Sequence, residues 1–143
     1  MSNSVSKPLV YQNDHFLIAP CVSCPVAGYL IIKPIVSTLS LSQFRPDALA
    51  LLGPTLANAT KAIETVIRPE RVYCALFSEE TRSVHFHLFP RTLGLLSQYA
   101  TAHPEDREIS GPRLLDWARR AFHPPAPNDY DELVRGVFRE LKP

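Results

Sequence analysis

The chain has 143 residues, 45% of them hydrophobic and 20% charged, with a formal net charge of +1. That length and balance support one domain with a substantial core and exclude a disordered chain. The small net charge excludes a global field toward nucleic acid or an anionic membrane, so any phosphate must be held by a local site.

Met1 to Lys7 lacks the apolar run of a signal peptide, and no apolar run is long enough to span a bilayer. Three cysteines, Cys21, Cys24 and Cys74, form an odd, sparse set that fits a reducing cytoplasm better than a disulfide scaffold. Residues 1–9 read as a loose lead-in. Short strands are predicted at Val10-Tyr11 and His15–Ala19, turning at Gln12-Asn13-Asp14, with a loop from Pro20 to Pro25. Gly28–Lys33 is an apolar strand stopped by Pro34. Leu49, Leu52, Leu56, Ala59, Ile63 and Val66 form the stripe of a long amphipathic helix, with a kink or restart expected at Gly53-Pro54. Arg71–Phe77 is the next strand. The polar link Ser78–Arg82 has hairpin length, which pairs it antiparallel with Ser83–Phe89. Residues 92–112 read as irregular. Arg113–Phe122 is a short helix, broken by His123–Pro127. A last helix starts near Asp129, where Asp129 and Glu132 could form a capping box. Its stripe is Leu133, Val137, Phe138 and Leu141. The sum is an α+β fold: an antiparallel sheet, one long helix and a helical tail.

The segment Ser83-Val84-His85-Phe86-His87-Leu88-Phe89-Pro90-Arg91 carries the chemistry. Its period of two puts Val84, Phe86 and Leu88 on one face and Ser83, His85, His87 and Phe89 on the other. Two imidazoles then stand about 7 Å apart along one strand. A neutral imidazole is a good nucleophile near neutral pH once a hydrogen bond on its other nitrogen fixes the tautomer, and a neighbouring strand carbonyl can supply that bond. Cys21-Val22-Ser23-Cys24 has a C-x2-C spacing, so Cys21, Cys24, His85 and His87 are a candidate zinc set, a reading that stays open beside the nucleophilic one. Cys74, within a strand, reads as core.

His-Phe-His-Leu-Phe-Pro-Arg resembles the signature of the histidine triad superfamily, His-φ-His-φ-His-φ-φ, which in many bacterial members runs into Pro-Arg. Gly28-Tyr29-Leu30-Ile31-Ile32-Lys33-Pro34 resembles that family's Gly-His-φ-φ-φ-φ-Pro strand. The resemblance covers residues 10–92, leaving 93–143 as an extension of two helices packed on the same domain. It implies a sheet of about five strands, a homodimer, and binding of a nucleotide or dinucleotide. It also implies hydrolysis or transfer at the α-phosphate of an adenine nucleotide or dinucleoside polyphosphate, through a nucleotidyl-histidine. His85 takes the nucleophile's place and His87 the third position, while Ser83 replaces the first histidine. Ser83, Arg82 and Arg91 are the candidate phosphate ligands. Phe16, Ile18, Val22 and Tyr29 are the candidate nucleotide pocket. The nucleophilic step requires no cofactor or metal, although a divalent cation could accompany a polyphosphate. Three departures favour an alternative, a nucleotide binder with weakened catalysis, the first being Ser83 in place of the first histidine. Tyr29 stands where the family often has a histidine, and the link 78–82 has no glycine but two carboxylates.

Overall fold

The computed structural model describes residues 9–143, so all but the last residue of the expected lead-in lies outside it. Five strands form one antiparallel sheet: β1 (Tyr11–Gln12), β2 (Phe16–Pro20), β3 (Leu30–Pro34), β4 (Arg71–Ala75) and β5 (Phe86–Arg91). Their order is β1-β2-β3-β5-β4. Four helices complete the α+β fold: α1 (Pro46–Ile67), α2 (Leu93–Ala102), α3 (Gly111–Ala121) and α4 (Tyr130–Glu140).

The sheet separates two cores. Ile18 pairs with Ile32, and Ile32 with Phe86, so strand alternation sends these three to one face together. There they join Phe16, Leu30, Val84 and Leu88, with Ala59, Ala62 and Ile63 of α1 and Val137 of α4. Fully burying an aliphatic or aromatic side chain of this size stabilises by about 1.5–3 kcal/mol. On the other face Tyr29 and Phe89 pack with Cys24, Leu95, Tyr99, Leu114, Leu115 and Ala118. Helices α2 and α3 therefore cover the face on which the histidines stand.

Several expectations need correction. Residues 92–112 are not irregular throughout: α2 begins at Leu93, where Thr92 Oγ1 accepts from Leu95 N at 3.1 Å. Leu95 and Tyr99, four residues apart, bury against the second core. The extension thus carries three helices, not two. Helix α1 does not restart at Gly53-Pro54 but runs through it for 22 residues. Pro54 and Ala50 are exposed, so water can serve the Ala50 carbonyl that proline leaves without a donor. Leu49 is exposed, and the buried side of α1 is built instead from Ala48, Thr55, Ala59, Ala62 and Ile63. Thr55 is buried because its hydroxyl is satisfied: it donates to the Leu51 carbonyl and accepts from Asn13 Nδ2 at 2.9 Å. That bond ties the β1–β2 turn to α1. Asp129 stands at the N-cap of α4 but makes no side-chain cap bond, because its backbone is already helical (φ −88°, ψ −4°). Cys74 is exposed on the edge strand β4 rather than core.

Candidate functional site

His87 lies within β5, and His85 just before its first residue. Their rings share a face with centroids 5.0 Å apart. His85 Nδ1 lies 2.9 Å from the Ser83 carbonyl oxygen. A carbonyl only accepts, so Nδ1 carries the proton and Nε2 keeps its lone pair in the neutral ring. Ser83 thus supports the site through its backbone, as expected of a strand neighbour. Its hydroxyl is engaged with the backbone of Thr38.

His87 is 6% exposed, and its Nδ1 lies 2.7 Å from the hydroxyl of Tyr29, itself 1% exposed. Burial pushes the Tyr29 phenol upward, so it keeps its proton. A phenol hydroxyl both donates and accepts, so this bond fixes the orientation of the His87 ring. Burial, then the neighbouring His85 and Arg119, push the His87 imidazolium down to about 4. His87 is therefore neutral at physiological pH. Of the two rings, His85 is the one whose tautomer a carbonyl sets, which leaves a lone pair on its Nε2.

Both rings line a cavity of about 380 Å³. One wall is the link after β4, with Phe77, Ser78, Glu79, Glu80 and Thr81. The other is α3, with Pro112, Leu115, Asp116 and Arg119. Arg119 makes no ion pair among the described residues. Ser78 has φ +51°, and its hydroxyl is buried without a hydrogen-bond partner among them.

The remaining sequence-predicted residues scatter. Phe16 and Ile18 are fully buried on the α1 face, opposite the histidines, so they pack the core and line no pocket with them. Val22 is 73% exposed and does not line the cavity. Tyr29 does not line this cavity either, but it holds His87. Arg82 is exposed and borders a different hollow. Arg91 is spent elsewhere: its Nη1 donates to the Tyr73 hydroxyl at 2.7 Å and the Ile109 carbonyl at 3.1 Å. The zinc set is not assembled. Cys24 Sγ is buried and donates to the Ala118 carbonyl, while Cys21 Sγ lies 3.5 Å from Ser23 Oγ. Among the described residues no group of three or more His, Cys, Asp or Glu side chains is placed to hold a metal.

No protein-family model matches the sequence, and no curated protein matches it. Solved structures do. A histidine triad protein from Bradyrhizobium japonicum superposes with a TM-score of 0.67 at 12% identity, over 92% of this chain and 87% of that one. A histidine triad nucleotide-binding protein from Sulfolobus tokodaii gives 0.63 at 12% identity, over 94% and 84%. A zinc-bound histidine triad family protein from Mycobacterium smegmatis gives 0.60 at 15%, over 95% and 87%. The chain has the histidine triad fold. The sheet, the long helix and the signature strand anticipated from residues 10–92 fit that fold, and the likeness also reaches into the extension, since it spans nine-tenths of the chain or more. What the sequence missed within this histidine triad framework is the α3 wall. Arg119 sits in a helix read from sequence only as short, with no site residue named in it. The available signal was a basic residue one step from the buried Ala118, at the edge of that helix's apolar face. No helix among the described residues is long and apolar enough to cross a membrane.

Proposed function

We propose that the protein binds a nucleotide in the cavity between the 78–82 link and α3, and that His85 attacks its α-phosphorus. The observation that carries this reading is His85 Nδ1 held by the Ser83 carbonyl, on a cavity wall that the ring shares with His87. A lone pair on His85 Nε2 is what a nucleophile needs, and a His87 N–H turned to the cavity would serve a developing phosphoryl oxyanion. The His85 lone pair forms the N–P bond while the bond to the leaving oxygen breaks and its electron pair departs with that oxygen. Water then attacks the nucleotidyl-His85, releasing the nucleoside monophosphate and restoring the imidazole. Arg119 and the Thr81 hydroxyl line the same cavity and are suited to phosphate oxygens. Phe77, Pro112 and Leu115 offer apolar surface to a base, and the carboxylates of Glu79, Glu80 and Asp116 can accept from ribose hydroxyls.

A second reading, a binder with little turnover, is favoured by one feature of the same wall. Three carboxylates line the cavity against a single guanidinium, a poor field for stabilising added phosphate charge. Intact mass after mixing with ATP or diadenosine tetraphosphate separates the two. The first reading expects an acid-labile nucleotidyl adduct on the wild type and none on His85→Ala. It also expects Arg119→Ala to weaken AMP binding about tenfold, the scale of one charged hydrogen bond. AMP binding without adduct or product leaves the binder, and an adduct that survives His85→Ala removes the nucleophile from this residue.

A further inference from the structure

Lys33 ends the apolar run of β3 as its one charged residue. Leu30 and Ile32 point into the α1 core, so Ile31 and Lys33 point to the face of the histidines. Ile31 pairs with His87 in the antiparallel register. The pairing ends at Ile32 and Phe86, and just beyond it Lys33 and His85 line one small cavity. Lys33 is exposed and makes no ion pair among the described residues.

A second, smaller cavity of about 190 Å³ opens at this point, lined by Ile31, Lys33, Thr81, Ser83, Val84 and His85. His85 and Thr81 line both cavities, so the imidazole stands at their junction. Charge divides between the two. Glu79, Glu80 and Asp116 all line the larger cavity, and no carboxylate lines the smaller. The smaller one therefore offers an ammonium and the Thr81 hydroxyl in a space suited to a compact anion. The link 78–82 supplies no glycine nest for a phosphate chain, so a cation on the neighbouring strand is the available substitute.

We infer that Lys33 and the small cavity form a phosphate subsite for the phosphoryl group next to the one held by His85 and His87. This rests on the proposed reading of the larger cavity and names its substrate class: nucleotides with at least two linked phosphates, rather than derivatives of a nucleoside monophosphate. The departing phosphate or pyrophosphate leaves with the electron pair of the broken P–O bond, and the Lys33 ammonium offsets the charge it gains.

Two probes separate this inference from the reading beneath it. Inorganic pyrophosphate and AMP are each titrated calorimetrically into wild type, Lys33→Ala and Lys33→Arg. Lys33 is exposed, so neither substitution removes a packed side chain. Pyrophosphate affinity is expected to fall about tenfold in Lys33→Ala and to be largely restored in Lys33→Arg, with AMP affinity unchanged within about twofold. A wild type that does not bind pyrophosphate, or a Lys33→Ala variant that binds it equally well, overturns the subsite. So does an equal loss for both probes, which marks a diffuse field. Pyrophosphate binding that depends on Lys33 in a protein that ignores AMP upholds the subsite and defeats the nucleotide reading instead.

Discussion

The charge of His87 is set by its environment. Burial, His85 and Arg119 all disfavour the imidazolium, and the native pKa of about 4 lies below the ordinary 6.5. Between those values the unfolded chain binds a proton that the folded chain refuses. Stability therefore falls as pH drops from about 6.5 to about 4, and the contribution is gone below the native value. The difference corresponds to about 3 kcal/mol. Urea unfolding at pH 7 and at pH 4.5 reads it directly. Wild type should lose more stability over that interval than His87→Gln, which keeps polarity without titrating. Equal losses would show that carboxylates and the other histidines carry the whole effect. That His85 and His87 stand on one face was legible in the sequence, since strand alternation alone put both there. The role of Tyr29 was not. A tyrosine after a glycine reads equally as core or pocket, and only the cross-strand meeting with His87 Nδ1 makes it the group that orients the imidazole.

At the scale of elements, the strands were readable because each alternates strongly and is bounded by turn residues, as β5 shows between Ser83 and Arg91. The misreadings have a common origin in contacts that local pattern does not encode. Helix α2 hides behind a Gly at its second position and becomes helical because Leu95 and Tyr99 find the second core. Leu49 is exposed because small residues, Ala48, Ala59 and Ala62, let α1 lie close to the sheet. The same closeness governs the entry to β3. Gly28 has φ +90°, and a Cβ there would meet Ile67 Cγ1 at 2.8 Å. An L-residue at that φ is strained by about 1–3 kcal/mol before any clash is counted. Gly28→Ala should therefore cost about 2 kcal/mol or more in denaturant unfolding. It should also disturb Tyr29, which follows directly in the chain. A neutral substitution would mean that the α1 end yields freely and does not fix where β3 begins.

At the scale of the whole molecule, the sheet divides two cores with different duties. The α1 core holds the fold together and touches no wall of the candidate site except through the strands. The second core seats α3, and α3 brings Arg119, Asp116 and Leu115 to the cavity. Stability and binding should therefore separate by face. Leu114 of α3 and Val137 of α4 are both fully buried, one in each core. Truncating either to alanine leaves a cavity and costs on the order of 2 kcal/mol. Leu114→Ala loosens the helix that carries the cavity wall, so AMP affinity should fall along with stability. Val137→Ala lies across the sheet, so it should unfold earlier in urea yet bind AMP within about twofold of wild type under native conditions. Both variants are measured by equilibrium urea unfolding and by AMP titration well below their midpoints. If Val137→Ala loses as much affinity as Leu114→Ala, the sheet transmits disorder between its faces, and α3 has no separate hold on the site.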